Sequence, residues 1–195
     1  MRKRLPRAFY GGDALDVAPV LLNKVLVAGP VAGRIVEVEA YEGALDPGSH
    51  AFRGCTARNA TMFGPPGHLY VYFTYGMHFC SNVVCGDEGT ATAVLLRALT
   101  PLRGLDVMQA RRVKSRREAD LCSGPGRLCQ ALGLGRDHDG ADLVRADRGV
   151  TIVDDGVRPP DEPGVTTRIG LRPGQGDDRP WRFLVPGAVG LSRRT

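Results

Sequence analysis

The chain has 195 residues, 43% apolar and 24% charged, with a net charge of +5. At about 150 residues per domain that predicts one domain with an ordinary core. The balance excludes a disordered or collagen-like chain, no apolar run approaches the roughly 18 residues of a helical membrane span, and the basic surplus favours a polyanionic partner.

The N-terminal MRKRLPR is basic and has no apolar segment behind it, so it reads as a flexible arm over residues 1–8 rather than a secretory signal. Cytoplasmic residence is expected, with reduced thiols: the five cysteines include no C-x-x-C pair and match no zinc spacing. Asp13–Lys24 predicts a short helix, and Pro19 moves its expected start towards Val17–Pro19. Val25–Ala28 and Arg34–Tyr41 read as a hairpin about a Gly-Pro turn. Residues 45–67, rich in Gly, Pro, Asn and Arg, read as a long functional loop. His68–Phe73 and Phe79–Val84 are strand-like and flank a tight Tyr75-Gly76-Met77 turn. Thr92–Leu99 is an apolar strand interrupted by Arg97, and Pro101 opens an expected helix to about Arg112. Residues 111–118 (RRVKSRRE) carry five positive charges; they are either a solvated face or a DNA contact. A helix to Leu132 follows, with Ser123 as its expected cap and Gly133 as its stop. Gly149–Val153, Arg168–Leu171 and Arg182–Val185 are further strand candidates. The expected class is α+β, mainly antiparallel, in a single domain spanning 1–195.

Three segments carry chemistry. Alternation along Arg34-Ile-Val-Glu-Val-Glu-Ala-Tyr41 puts Glu37, Glu39 and Tyr41 on one face. Taken alone, this is either a solvated acidic face or a carboxylate displayed beside an aromatic ring. In Leu69-Tyr-Val-Tyr-Phe-Thr-Tyr-Gly-Met-His-Phe79, Tyr70 and Tyr72 share a face and Tyr75 sits at the turn. Such a tyrosine is either incidental or a wedge for a base stack. Arg97 inside an apolar strand needs a partner: it forms a structural ion pair, orients a carboxylate or meets a phosphate. Together these suggest an enzyme that grips nucleic acid and acts on a base.

Residues 34–50 (RIVEVEAYEGALDPGSH), 58–82 (RNATMFGPPGHLYVYFTYGMHFCSN), 93–101 (AVLLRALTP) and 121–132 (LCSGPGRLCQAL) resemble the alkyladenine (3-methyladenine, methylpurine) DNA glycosylase family, the type without a helix-hairpin-helix motif. The resemblance spans essentially the whole chain. It implies a curved, barrel-like antiparallel sheet, surrounding helices and a protruding hairpin. Residue by residue, it implies that Glu39 is the general base, that Arg97 helps place the attacking water and that the Ile169 carbonyl also holds that water. Tyr41, His50 and Tyr72 would hold the extruded base, Asn82 would screen purines, and Tyr75, with Met77, would intercalate. Arg58, Asn59, Ser123 and Gly124 lie in matching segments and are expected near the DNA backbone. The loop Ala51–Ala57 is one residue shorter than the vertebrate pattern.

The implied reaction is hydrolysis of the N-glycosidic bond of a damaged purine in double-stranded DNA, without metal or cofactor, by a monomer. The matched motifs contain no lysine, which favours water over a Schiff base and predicts an intact abasic site. Glu37 is expected to tolerate substitution far better than Glu39. The alternative is a damage-binding module that has lost catalysis; a small-molecule hydrolase would leave the hairpin and the charge unexplained.

Overall fold

A computed structural model describes residues 3–192. In chain order these residues form β1 (Lys3–Arg4), α1 (Ala14–Leu21), β2 (Val25–Ala28), β3 (Val31–Glu42), β4 (His68–Thr74), β5 (His78–Cys85), β6 (Thr92–Arg103), α2 (Leu105–Arg111), α3 (Pro125–Leu132), β7 (Ala141–Asp142), β8 (Val150–Asp154), β9 (Gly164–Thr166) and β10 (Arg182–Leu184). All the strands join one antiparallel sheet in the order β1-β8-β2-β3-β6-β5-β4-β7, and β10 bridges β3 to β9. The sheet curls into a half-barrel, so the molecule is a single α+β domain, as expected. No helix of the described residues is long and apolar enough to cross a membrane.

Period-two alternation separates the two faces of this sheet. Leu69, Val71, Val83, Val94, Leu96 and Val38 point to one side and form the main core with Ala14, Val17 and Leu21 of α1 and Leu128 and Leu132 of α3. The opposite side carries a row of cross-strand partners: Tyr70 opposite Asn82, Asn82 opposite Leu95, Leu95 opposite Glu39, and Glu39 opposite Arg182. Strand register alone thus brings together residues from five strands far apart in sequence.

Several expectations need correction. The helix α1 begins directly after Asp13, with Pro19 inside it. In so short a helix the proline removes a single backbone bond, and the Glu42 carboxylate accepts from the Leu15 N–H at 3.0 Å, satisfying one of the open donors of the first turn. Pro101 does not open a helix; β6 runs through it to Arg103. A register shift lies opposite, between Ala32 and Gly33, where a missing N–H is tolerated. Gly124, not Ser123, occupies the cap position of α3; Gly133 ends that helix in a left-handed conformation, as expected. Arg168–Leu171 is not a strand; its polar groups turn towards β3 instead of a neighbouring ladder. The expected basic arm is docked from residue 3 onward: β1 pairs with β8, Leu5 is buried and Arg7 meets Asp142 at 2.6 Å. Residues 1 and 2 of that arm lie outside the described residues.

Candidate active site

The concave face of the sheet holds a cavity of about 190 Å³. Tyr41, His50, Tyr72, Asn82, Arg97 and Ile169 all line it, and Tyr75 reaches it from the hairpin tip. Of the other residues grouped from the sequence, Glu39, Met77, Arg58, Asn59, Ser123 and Gly124 do not line it.

Beneath the lining residues Tyr41, Arg97 and Ile169 lies a buried floor that holds Glu39, which is fully buried and does not itself line the cavity. One carboxylate oxygen, Oε1, accepts from the backbone N–H of Ile169 at 2.7 Å. The other, Oε2, accepts from the Tyr41 hydroxyl at 2.9 Å and lies 3.2 Å from Arg97 Nη1. A carboxylate oxygen accepts at least two hydrogen bonds, so Oε1 retains capacity for a further donor. Burial pushes the Glu39 carboxyl above the usual glutamate range, against the pull of Arg97, the Ile169 N–H and the Tyr41 hydroxyl. Burial, then the neighbouring Glu39, also raises the Tyr41 phenol well above its usual range, so it remains a donor.

Arg97 is placed by two compensating irregularities. Between Ile35 and Glu37 the extra residue is Val36 on β3; between Glu37 and Val38 it is Arg97 on β6. Such bulges re-aim side chains. Here Arg97 Nε meets Glu37 at 3.0 Å while Nη1 meets Glu39. Burial pulls the guanidinium down, but Glu39 and Glu37 reverse this and leave it above its usual range.

Glu37 is the largest departure from expectation. Its face is not solvated: the residue is fully buried. Oε1 accepts from Arg97 Nε, from Arg182 Nε at 2.7 Å and from the Ser192 hydroxyl at 2.5 Å, and Oε2 accepts from the Ser192 N–H at 2.6 Å. It anchors Arg97 and ties the C-terminal segment to β3.

Aromatic rings form one wall. Tyr72 stacks on Tyr70, with centroids 5.2 Å apart and 23° between planes, and the His50 ring meets Tyr72 edge-on at 4.5 Å. Nδ1 of His50 shares a 3.1 Å hydrogen bond with the Tyr70 hydroxyl. Burial, then Arg58, lowers the His50 pKa, which favours the neutral ring. Tyr70 was overlooked as a site residue, although its alternation with Tyr72 was visible. Asn82 lies opposite Tyr70, and its buried amide nitrogen has no partner among the described residues.

The hairpin tip differs from the floor. Tyr75 and Gly76 both have positive φ, 50° and 66°, and Met77 N–H donates to the Thr74 carbonyl at 3.2 Å. This is the left-handed pair that twist-matched hairpins use. A tyrosine held there stores strain on the order of 1–3 kcal/mol. Tyr75 is 80% exposed and Met77 69%.

Arg58 is exposed, donates to the Phe73 carbonyl at 3.3 Å and sits 5.9 Å from the Tyr72 ring centre. Asn59 departs from a surface role. It is buried, its Oδ1 accepts from the Thr56 N–H and hydroxyl, and its Nδ2 donates to the His50 and Gly54 carbonyls. Asn59 therefore shapes the loop that carries His50. Ser123 and Gly124 are also buried, under the start of α3, and the Ser123 hydroxyl accepts from Arg127 at 3.0 Å.

Arg168 and Asp46 were not singled out. Arg168 is buried and donates to both Asp46 oxygens, one at 2.8 Å, and to the Ala40 and Gly176 carbonyls at 3.1 Å. Its guanidinium lies 4.6 Å from the Tyr41 ring and 5.0 Å from Trp181. This pair ties the loop before His50 to the segment that offers Ile169. The acidic and basic residues are 122 positions apart, so no local pattern could have joined them.

A model of the methylpurine-DNA glycosylase family matches residues 8–189 of the chain. Several bacterial proteins named "Putative 3-methyladenine DNA glycosylase" are similar to it over nearly its whole length. That of Burkholderia lata is 61% identical over 184 residues, covering 94% of this chain and 88% of its own. That of Streptomyces avermitilis is 49% identical over 189 residues, with the same two coverages. That of Carboxydothermus hydrogenoformans is 44% identical over 199 residues, covering 97% and 99%.

Proposed function

The chain belongs to the methylpurine-DNA glycosylase family and is a DNA N-glycosylase, a hydrolase of DNA repair; on that basis we propose that it extrudes damaged purines from duplex DNA and removes them with an activated water. The substrates of this reading are purines of the 3-methyladenine, 7-methylguanine, hypoxanthine and ethenoadenine class. A base inside a duplex offers no approach to C1′, so its nucleotide must be rotated out, at a cost of a few kcal/mol. Tyr75 fills the gap left in the stack, with Met77 beside it. Tyr41 and the Tyr72–His50 wall hold the base, each stacking contact contributing roughly 1–3 kcal/mol. A cationic methylpurine gains further attraction to these ring faces.

Bond cleavage develops positive charge on the sugar. Glu39 deprotonates a water held between its free Oε1 position and the Ile169 carbonyl, and its charge stabilises the sugar cation. Arg97 keeps Glu39 ionised and in place. The product is a free base and an intact abasic site. No metal or cofactor takes part. The enzyme works as a monomer, on the nucleoid in the cytoplasm.

The observation that carries this reading is a fully buried glutamate bonded to Tyr41, Arg97 and Ile169, three residues that line an aromatic cavity, beside an exposed tyrosine at a hairpin tip. Glu39→Gln tests it on duplexes carrying hypoxanthine or ethenoadenine. Binding should stay within about tenfold while excision, read as alkali-labile sites, falls roughly 10²–10⁴-fold. Equal losses would make Glu39 structural. Wild-type binding without excision would favour the damage-binding module.

A further inference from the structure

Two cavities flank the first turn of α3. Pro125 lines the one described above. Arg127, about 3 Å further along the helix axis, lines a second of about 240 Å³ together with Arg112, Lys114, Ser115, Arg116 and Asp120.

The second cavity is unusual in its charge. Four of its lining residues are cationic, against the single acidic Asp120, whose charge also acts on Arg112. The acidic Asp120 is gripped by Arg117 through two hydrogen bonds of 2.8 and 2.9 Å. Arg112 donates from Nη1 to Gln130, but its buried Nε has no partner among the described residues. Arg127 lies near enough to add its repulsion to the burial that lowers the Arg112 guanidinium. Like charges gathered around an unsatisfied donor call for an anion.

The turn that presents these cations is pinned, unlike a solvated charge run. Gln109 donates to the Arg112 and Ser115 carbonyls at 3.3 and 2.9 Å, and Gln130 donates to the Arg111 carbonyl at 2.9 Å. Two glutamine side chains thus staple residues 111–115 to α2 and α3. Arginine guanidinium groups suit the oxygens of a phosphodiester.

We propose that this cavity binds a phosphodiester of the DNA strand whose nucleotide enters the first cavity. The inference rests on the DNA-glycosylase reading above and extends it to how the strand is held. Successive phosphates on one strand rise about 3.4 Å apart, so a contact beside Arg127 lies within a few nucleotides of the extruded base. A phosphate grip carries no sequence information, as suits an enzyme that must search all sequences.

The test is the salt dependence of duplex binding. Lys114→Gln/Arg116→Gln and, separately, Arg127→Gln should each weaken binding to lesion and undamaged duplexes alike. Each should also lower the slope of log K against log[salt] by about 1. Single-turnover excision at saturating enzyme should persist. Arg158→Gln, an exposed change outside both cavities, should leave the slope unaltered. An equal drop in that variant would reduce the effect to net charge and overturn the proposal, as would unaltered slopes in the first two. Inorganic phosphate serves as the competing probe. If it raises the melting temperature of the wild type but not of the variants while their slopes stay at the wild-type value, the cavity takes free phosphate and the DNA assignment fails. Loss of wild-type excision with these slope changes intact would instead reject only the catalytic reading.

Discussion

The floor of the cavity and the tip of the hairpin are built on opposite terms. At the floor, Glu37, Glu39 and Arg97 are buried and bonded to one another or to Tyr41, Ile169, Arg182 and Ser192. At the tip, Tyr75 and Met77 are exposed, and Tyr75 holds a strained backbone. A group that handles a proton gains from a fixed, water-poor setting. A wedge must face solvent until DNA arrives, and its apolar surface remains uncovered until then. On the proposed mechanism, one region contributes stability as well as chemistry, while the other contributes function at a cost in stability.

The sharpest way to break that contrast is at Arg97. Arg97→Ala leaves two buried carboxylates without their shared cation. It should lower stability by about 3–5 kcal/mol, or roughly 6–20 °C in melting temperature for a domain of this size. Glu37→Gln removes one charge but keeps the shape, and should sit near the lower end of that range. A Glu37→Gln protein as stable as wild type would show that the floor is not an electrostatic unit. It would also agree with the expectation that Glu37 tolerates substitution far better than Glu39.

At the tip the effects should reverse. Tyr75→Ser should leave the melting temperature within about 2 °C, since surface changes are usually within ±0.5 kcal/mol. Excision from duplex should slow roughly tenfold to a hundredfold, because extrusion loses its plug. Comparing duplex with a single-stranded lesion substrate is decisive. If both slow equally, the tyrosine acts on the bound base and not on the stack.

Asn82 lies between these extremes: buried like the floor, yet with an amide nitrogen left unpaired. Stacking cannot separate guanine from hypoxanthine, which differ by one exocyclic amino group, whereas an amide at the pocket edge can obstruct that group and leave it unsatisfied. Asn82→Ser should keep hypoxanthine release and gain slow guanine release, from a wild-type barrier of roughly 10²-fold. Lost stability without guanine release would move Asn82 to the structural side.

Much of the site was legible because period-two alternation is a strong local signal. It put Glu39 with Tyr41 and Tyr70 with Tyr72, and it located the turn at Tyr75. The family motifs then supplied roles that spacing alone could not. What stayed hidden depends on long-range pairing. Arg168 and Asp46, Glu37 and Ser192, and the anchored residues 3–8 find their partners 122, 155 and more than 130 positions away. Pro19 and Pro101 misled for a related reason. Each proline is compatible with its element once tertiary packing and a register shift remove the need for its N–H.

The sequence by itself determined the α+β class, the principal strands and the residues that display carboxylate and aromatic chemistry, because side-chain direction along a strand follows from backbone geometry alone. Only the tertiary structure decided which of those groups are buried and how they are wired. The register of β3 against β6, with its extra residues Val36 and Arg97, aims one guanidinium at two carboxylates. The closeness of α2 to α3 turns an ordinary run of arginines into a walled cationic cavity. Both outcomes depend on contacts between segments far apart in the chain, and the energy of a buried charge is set by those contacts rather than by its neighbours in sequence.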